Sequence, residues 1–253
     1  MMSHHFPAYI THHVQSPETP VPHAKFLGLQ VQDSPGLRMG ILGYGAIGRQ
    51  VARLAQALGM EVYAYTRREK STPESRKDDS YVVPRTGDPD GLIPAKWFHG
   101  AEKEDINNFL AQGLDVLVVS LPLTDATRKI LSKEQFEILD RTARNGTGRK
   151  TFVSNIARGE HIDTDALIDA LQTGKIKGAA LDVVDPEPLP EGHALLKMAG
   201  EGGGKVFITP HVSWMSPHYF ERVLAIMERN LEVLIGGGEN KGMINVIDRV
   251  NHY

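Results

Sequence analysis

The stretch Gly43-Tyr44-Gly45-Ala46-Ile47-Gly48 lies between a short apolar segment, 39–42, and an amphipathic segment, 46–58. A strand, then three glycines at this spacing, then a helix are together typical of a dinucleotide-binding turn. Gly43 suits the tight turn, Gly45 leaves room for the pyrophosphate, and Gly48 lets the helix pack close to the strand. A glycine-rich turn of another α/β fold is the alternative. The flanking patterns favour a dinucleotide site, with its phosphates at the helix N-terminus.

The rest of the chain continues this alternation of short apolar strands with helical segments, which is typical of parallel βαβ units. The predicted strands are residues 39–42, 61–65, 116–120, 151–154, 179–182 and 206–209. The predicted helices are residues 46–58, 103–111, 133–139, 164–171 and 217–235. Two irregular stretches, 70–100 and 141–150, are predicted to be surface loops. The pattern predicts an α/β fold, a Rossmann-type doubly wound parallel sheet with helices on both faces.

The second predicted strand leads into Thr66-Arg67-Arg68, at a point where NAD-binding proteins usually have an Asp or Glu that bonds the ribose hydroxyls. No carboxylate is present there to repel a 2′-phosphate. The Thr66 hydroxyl and the forked guanidinium of Arg67 or Arg68 are suitable donors to such a phosphate. The alternative is that both arginines are simply solvated at the start of a polar loop. The residues therefore predict a preference for NADP(H), with NAD(H) as the second choice.

Polar side chains follow three later strands at their carboxyl ends, where a parallel sheet presents its functional edge. Arg158, Glu187 and His211 follow the fourth, fifth and sixth predicted strands respectively. Each has an ordinary explanation when taken alone. An arginine after a strand is usually a surface charge, an acidic Pro-rich stretch is usually a turn, and a lone histidine usually makes a structural hydrogen bond. Their convergence on one edge predicts that these three residues form a catalytic set.

Several motifs, taken in order, resemble those of the D-isomer-specific 2-hydroxyacid dehydrogenases, and in particular the glyoxylate and hydroxypyruvate reductases. The resemblance extends from near Gly36 to the C-terminus. The matching motifs are Met39-Gly40-Ile41-Leu42-Gly43-Tyr44-Gly45-Ala46-Ile47-Gly48-Arg49, Ser120-Leu121-Pro122-Leu123-Thr124 with Thr127, Asn155-Ile156-Ala157-Arg158-Gly159, Ala180-Leu181-Asp182 through Glu187-Pro188-Leu189-Pro190, Thr209-Pro210-His211, and Asn245-Val246-Ile247-Asp248-Arg249.

The resemblance implies that a hydride from nicotinamide C4 reduces a 2-keto acid. Arg158 would bind the substrate carboxylate and polarise the ketone, because its planar fork can hold an anion at two points. His211 would transfer the proton, and Glu187 would bond the far ring nitrogen and stabilise the imidazolium. Asp182 would hold the nicotinamide carboxamide. Trp214 either lines the substrate pocket or packs in the core.

The predicted cofactor contacts come from the glycine motif, the corner after the second strand and the family motifs. They are Gly43, Gly45, Ala46, Ile47, Gly48, Thr66, Arg67, Arg68, Leu121, Pro122, Thr127, Ile156, Ala157 and Asp182. No metal is expected. Five histidines near the N-terminus lack helical pairing and a nearby carboxylate, so a solvated tail is favoured over a metal site. They are His4, His5, His12, His13 and His23.

Composition and net charge limit the kinds of molecule that the protein is expected to bind. The 253 residues carry a net charge of −3 with both signs interspersed, which argues against nucleic acid. No apolar run reaches the roughly 18 residues that a spanning helix needs, and no signal-peptide pattern opens the chain, so a cytoplasmic protein that does not bind membranes is expected. The absence of cysteine excludes disulfides, cysteine-ligated zinc and a cysteine nucleophile.

The segment before the glycine motif is short and is broken by prolines at positions 7, 17, 20 and 22. We expect an irregular segment at 1–37, a dinucleotide-binding domain at 38–235 and a tail at 236–253. Members of the family carry a substrate-binding domain ahead of the motif. Because domains typically have about 100–150 residues, that domain is expected to be largely absent here. A natural short variant and a truncated chain are both consistent with this pattern.

Three functional hypotheses follow. The first is a reductase of small 2-keto acids, such as glyoxylate or hydroxypyruvate. The second is a dinucleotide-binding sensor or interaction module without turnover, and the third is an inactive fragment. Family members tend to dimerise through the nucleotide domain, so the resemblance also leaves a homodimer open.

Overall fold

Strand β1 (Arg38–Leu42) lies in the middle of a parallel sheet, between β2 (Glu61–Thr66) and β4 (Val116–Val119). The computed structural model describes residues 33–78, 80–143, 149–200, 205–237 and 242–246, together with Val14 and Glu18. Ile41 and Leu42 are fully buried, as expected for a strand with both faces covered. The chain leaves β1 directly into the glycine motif, which therefore lies at the carboxyl edge of the sheet near its centre.

Within the described residues the sheet has seven strands, all parallel, in the order β3-β2-β1-β4-β5-β6-β7. The remaining strands are β3 (Lys96–His99), β5 (Phe152–Asn155), β6 (Gly178–Leu181) and β7 (Val206–Ile208). The strand order reverses between β1 and β4. In such sheets, ligands bind in the crevice outside the carboxyl ends of the strands at the point of reversal. The predicted doubly wound α/β fold is confirmed.

Helices cover both faces of the sheet. In chain order they are α1 (Ala46–Ala57), α2 (Pro73–Arg76), α3 (Lys103–Leu110), α4 (Lys133–Arg141), α5 (Thr164–Gln172), α6 (Ala194–Gly200) and α7 (Tyr219–Ile235). Successive residues of a strand point to opposite faces, and the central strands accordingly contribute to two apolar clusters. One cluster joins Ile41 and Ala64 to Ala52 of α1. The other joins Leu42 and Tyr63 to residues of α3, α4 and α5.

The structure corrects the prediction for two regions of the chain, 70–100 and the segment that contains α6. The stretch 70–100, predicted to be a surface loop, contains α2 and ends in β3, which pairs with β2 as the edge strand. Helix α6 lies in a segment for which no helix was predicted. These elements are too short to show a period among the surrounding Pro and Gly residues. Of the second predicted loop, 141–150, residue 141 ends α4 and residues 144–148 lie outside the described part of the chain.

A buried arginine holds the segment between β2 and β3 against the glycine motif. Arg49 of α1 is only 3% exposed, and its guanidinium donates to the carbonyl oxygens of Arg76, at 2.7 Å, and of Asp88. Its Nε lies 3.2 Å from a carboxylate oxygen of Asp78. The hydroxyl of Tyr44, within the motif, donates to Asp88 at 2.8 Å. This segment is therefore attached to the cofactor turn rather than lying loose on the surface.

The last helix has 17 residues but does not pack into the core. None of the residues of α7 is buried. Its large exposed apolar side chains include Phe220, Leu224, Met227, Leu231 and Leu234. Despite this apolar surface, no helix among the described residues is long and apolar enough to cross a membrane. The N-terminal histidines lie outside the described residues, as does most of the predicted tail.

Candidate functional site

The glycine turn has the geometry that its spacing predicts. Gly43 adopts a φ of +95°, and its N–H donates to the carbonyl of Tyr65 at 3.1 Å. A Cβ at Gly48 would lie 2.2 Å from the carbonyl oxygen of Gly43, so any side chain there would push α1 away from β1. The structure therefore uses Gly43 for the turn and Gly48 for close packing.

The N-terminus of α1 is open to a ligand. Its N-cap is Gly45, no side chain caps the helix, and its first turn contains no acidic residue. Gly45, Ala46 and Ile47 are all exposed, and a Cβ at Gly45 would meet nothing within 4 Å. The first N–H groups of a helix lack intrahelical partners and favour an anion. Free space in front of uncapped N–H groups fits a dinucleotide pyrophosphate.

A cavity of about 310 Å³ lies beside this turn, at the carboxyl edge of the sheet. Seven of the predicted cofactor contacts line it: Gly43, Gly45, Thr66, Arg67, Leu121, Pro122 and Thr127. The other seven lie outside its lining: Ala46, Ile47, Gly48, Arg68, Ile156, Ala157 and Asp182. The cavity thus joins the glycine motif, the corner after β2 and the loop after β4.

One wall of the cavity is formed by residues that were not predicted to contact the cofactor. Gly100 and Ala101, which follow β3 directly, and Ile106 of α3 line it. The N–H of Gly100 donates to the carbonyl of Thr66 at 3.2 Å, which draws the end of β3 towards the corner after β2. The aromatic dipeptide at positions 97 and 98 was the available signal for an edge strand and hence for this wall.

The corner after β2 is rich in positive charge. We call Arg67, Arg68 and Lys70 the basic corner. The hydroxyl of Thr66 donates to the carbonyl of Arg68 at 2.7 Å, which folds the corner back on itself. Burial lowers the pKa of Lys70, and the positive charges of Arg49 and Arg68 lower it further, against the opposing charge of Asp78. Positive side chains therefore lie close to one another at this corner.

The loop after β4 is held by its own side chains. The hydroxyl of Thr127 donates to the carbonyl of Pro122 at 2.8 Å and accepts from the N–H of Thr124 at 2.8 Å. Ser120 donates to the carbonyl of Gly43 at 2.7 Å. The predicted nicotinamide loop is therefore connected directly to the glycine turn.

The three predicted catalytic segments are adjacent, because β5, β6 and β7 are neighbours in the sheet. The N–H of Asp182 donates to the carbonyl of Asn155 at 3.0 Å, and the N–H of His211 donates to the carbonyl of Asp182 at 2.9 Å. A Cβ at Gly159 would lie 2.0 Å from the carbonyl oxygen of Val184. Glycine is therefore required where the segment that bears Arg158 crosses the one that bears Glu187.

His211 and Glu187 form a hydrogen-bonded pair. Nδ1 of His211 lies 2.7 Å from Oε1 of Glu187, and the two side chains are 37% and 40% exposed. In the described part of the chain, Nε2 of His211 has no hydrogen-bond partner. Both residues line a second cavity, of about 450 Å³. The pair can therefore exchange a proton through Nε2 with a molecule bound in front of it.

Asp182 holds the backbone of the His211 segment. Its carboxylate accepts from the Thr209 hydroxyl at 2.5 Å and from the N–H groups of Val212 and Ser213 at 3.1 and 3.0 Å. Burial by itself would raise the pKa of Asp182, but these hydrogen bonds outweigh burial and hold the pKa below its usual value. The structure thus gives this residue a bracing role that the sequence did not predict.

Arg158 is exposed, and its backbone is fixed. Its guanidinium donates to the carbonyl of Ala157 at 2.6 Å, and the carboxamide of Asn155 donates to its carbonyl at 2.8 Å. Among the described residues, no carboxylate lies within ion-pair distance of it. Its charge is thus available to an anionic ligand.

Trp214 lies on the surface instead of in the core. Its indole N–H donates to the carbonyl of His211 at 2.8 Å, and its ring meets that of Tyr219 edge-on at 5.1 Å. Half of the side chain remains exposed. Of the two predicted locations, core packing is therefore wrong.

Comparison with known proteins identifies a family with a similar sequence. The chain matches the model of the "D-isomer specific 2-hydroxyacid dehydrogenase, NAD binding domain" over residues 9–96 and 93–213. Glycerate dehydrogenase of Methylorubrum extorquens is 31% identical over 207 residues, which are 82% of this chain and 52% of that protein. Hydroxypyruvate reductase of Blautia hydrogenotrophica is 31% identical over 214 residues, 85% of this chain and 54% of that protein. The chain spans about half the length of these curated relatives.

A solved structure gives a similar result. A D-isomer specific 2-hydroxyacid dehydrogenase from Xanthobacter autotrophicus Py2, in complex with NADPH and MES, is 26% identical. It superposes with a TM-score of 0.67, and the match covers 100% of this chain and 90% of that one.

Proposed function

The chain belongs to the D-isomer specific 2-hydroxyacid dehydrogenase family, and on this premise we propose that it transfers a hydride between NADP(H) and a small 2-keto or 2-hydroxy acid of the glyoxylate or hydroxypyruvate type. The observation that carries the proposal is the 2.7 Å contact between Nδ1 of His211 and Oε1 of Glu187, which leaves Nε2 for a substrate oxygen. The names of the relatives, a glycerate dehydrogenase and a hydroxypyruvate reductase, support the substrate class.

Each residue of the set has one task in the reduction. When bound, NADPH supplies the hydride for the carbonyl carbon. Arg158 binds the substrate carboxylate, because its guanidinium is exposed and has no carboxylate partner among the described residues. His211, as an imidazolium, donates the Nε2 proton to the developing alkoxide, and Glu187 stabilises that charge from the Nδ1 side. In the reverse direction, the neutral ring accepts the proton of the 2-hydroxyl group.

The preference for NADPH over NADH is part of the proposal. The basic corner places three cationic side chains and one carboxylate, Glu69, after β2, and the segment 66–68 itself has no carboxylate to repel a 2′-phosphate. The relative solved with NADPH supports the same preference. Asp182 stays a predicted partner of the nicotinamide carboxamide, although three protein donors already share its oxygens.

A dinucleotide-binding protein without turnover is the second candidate, and one observation favours it. More than a third of each of the His211 and Glu187 side chains is exposed, whereas dehydrogenation is helped by excluding water from the site. In this second candidate function, the chain binds its cofactor through the turn at Gly43 without transferring hydride efficiently.

Binding and turnover measurements on the purified chain separate the candidates. Titration with NADPH and NADH gives the two affinities, and the oxidation of NADPH is then followed over a panel of 2-keto acids. Turnover supports the proposed reductase. Binding alone supports the second candidate, and equal or tighter binding of NADH would overturn the cofactor preference.

A variant tests the basic corner directly. We expect the double variant Arg67→Ser, Arg68→Ser to lose about tenfold or more in NADPH affinity and little in NADH affinity, because charge-assisted hydrogen bonds to a phosphate are strong. Arg229→Ser is a control for the loss of an exposed positive charge, since it removes one from α7, away from the cavity. Equal losses for both cofactors in the double variant would contradict a phosphate site.

A further inference from the structure

His161 is a fully buried histidine directly beside the proposed substrate-binding arginine. It ends a single 3-10 turn (Gly159–His161) that begins after Arg158, and its side chain has no solvent exposure. A buried imidazole needs hydrogen-bond partners for its ring nitrogens, because burying an unpaired polar group is unfavourable. The partners of this ring lie in two different loops.

Each ring nitrogen lies within hydrogen-bond distance of a backbone carbonyl. Nδ1 is 3.0 Å from the carbonyl oxygen of Arg158, and Nε2 is 3.3 Å from the carbonyl oxygen of Pro122. Pro122 lines the proposed cofactor cavity, in the loop after β4. The ring therefore spans the distance between the cofactor loop and the peptide unit of Arg158.

Both carbonyls are also held by side chains of their own loops. The Thr127 hydroxyl donates to the carbonyl of Pro122 at 2.8 Å, and the Asn155 carboxamide donates to that of Arg158 at 2.8 Å. The backbone of the turn pairs with the far end of the cofactor loop, where the N–H of Leu131 donates to the carbonyl of His161 at 3.1 Å. The ring thus joins two loops that are each already ordered.

We propose that His161 is a positioning residue that holds the cofactor loop through Nε2 and the Arg158 turn through Nδ1. This inference rests on the proposed function, since it assigns one contact to cofactor binding and the other to substrate binding. Both partners are carbonyl oxygens, which only accept, so a neutral ring with its single N–H donates to Pro122 in one tautomer and to Arg158 in the other, and each tautomer holds one of the two loops. Packing alone does not require a polar ring here, because the two carbonyls already accept from Thr127 and Asn155.

Three substitutions separate the two contacts. In His161→Gln the amide nitrogen takes the place of Nε2 and reaches Pro122, whereas in His161→Asn it takes the place of Nδ1 and reaches Arg158. His161→Leu fills the space and makes neither contact. The dissociation constant for NADPH reports on the cofactor loop. The KM for a 2-keto acid, and the dissociation constant of oxalate in the presence of NADPH, report on Arg158.

We expect a crossed result. His161→Gln should keep the NADPH affinity and weaken keto-acid and oxalate binding by about fivefold, the order of one lost hydrogen bond. His161→Asn should show the reverse, and His161→Leu should show both losses. Urea denaturation of each variant gives its stability separately, and the Gln and Asn variants still test the proposal if His161→Leu fails to fold.

Several outcomes overturn the inference. Unchanged ligand constants in His161→Leu would mean that the ring only fills space. Equal losses of both affinities in the Gln and Asn variants would mean a general loss of structure. If the wild-type chain binds NADPH and oxalate without turning over, the proposed reductase is wrong while the crossed binding pattern still decides the role of His161. If the wild-type chain binds neither ligand, both proposals are wrong.

Discussion

The contact between the imidazole of His211 and the carboxylate of Glu187 is accessible to solvent, since both side chains are more than one-third exposed. An exposed ion pair contributes little to stability, typically about 0–1 kcal/mol. What the 2.7 Å contact provides is orientation, because it engages Nδ1 and leaves Nε2 for the substrate. Replacement of either residue should therefore change the chemistry more than the fold.

We predict that His211→Gln lowers kcat by about 10²–10⁴-fold, the usual contribution of a positioned acid or base. NADPH affinity should stay within about twofold of the wild-type value, because His211 lies outside the cofactor cavity. Steady-state kinetics and a NADPH titration measure the two quantities. Glu187→Gln should retain more turnover than His211→Gln, since it removes the negative charge beside Nδ1 and keeps the acid. Near-normal turnover in His211→Gln would exclude the assigned role.

Asp182 offers a prediction about stability and pH. Its folded-state pKa is lowered, so the carboxylate stabilises the fold fully above about pH 4, where an unfolded aspartate is ionised. The contribution is lost as the pH falls towards the lower folded-state pKa. Asp182→Asn should reduce the free energy of unfolding by about 2 kcal/mol at pH 7, since it replaces hydrogen bonds to a buried charge.

The gap between wild type and Asp182→Asn should narrow as the pH falls below about 4. Urea denaturation at a series of pH values measures this gap. Asp125→Asn is the control, because Asp125 is exposed, and we expect no change in stability from it. A gap that stays constant with pH would show that the ionised form of Asp182 is not the one that braces the loop.

At the scale of elements, the longer helices and the buried strands were predictable because their periods are clear over several residues. Strand β3 was not, since it contributes four residues to the sheet edge and follows a Pro- and Gly-rich stretch. Missing it also concealed the cavity wall at Gly100. The roles of His161 and Asp182 were hidden for another reason: they depend on contacts with residues far away in the chain, which no local pattern shows.

The start of α1 provides a matched pair of glycine variants. A methyl group at Gly45 meets nothing within 4 Å, whereas one at Gly48 would lie 2.2 Å from a backbone oxygen. We predict that Gly45→Ala folds with wild-type stability and loses NADPH affinity by about tenfold or more, because the methyl group occupies the space proposed for the pyrophosphate.

Gly48→Ala should lose stability as well as affinity, because α1 has to shift away from β1 to relieve the clash, an overpacking effect typically of about 1–3 kcal/mol. Thermal unfolding and NADPH titration of both variants separate the two effects. Wild-type NADPH affinity in Gly45→Ala would place the pyrophosphate somewhere other than the N-terminus of α1.

At the scale of the whole molecule, α7 is a 17-residue helix without a buried residue. Its apolar side chains face solvent, and large exposed apolar patches favour association. We predict that the purified chain self-associates as its concentration rises, and that Leu224→Glu reduces this association. Light scattering over a concentration series measures it.

Ala225→Glu is the control for this substitution, since it adds the same charge at the next exposed position of the helix. An equal effect of the two variants would mean that charge alone, and not the apolar surface of α7, controls association.

The strand order also has a consequence for how such a protein changes over evolutionary time. The loops proposed to select the coenzyme follow β1, β2 and β3, on one side of the sheet, whereas those bearing Arg158, Glu187 and His211 follow β5, β6 and β7 on the other. Mutations that exchange NADP for NAD can therefore accumulate in one half without disturbing proton transfer in the other. β4 and its loop, through Ser120 and Pro122, are in contact with both halves. Coenzyme choice and substrate choice should accordingly be inherited as two nearly independent traits, and hybrids joined at β4 should combine them freely.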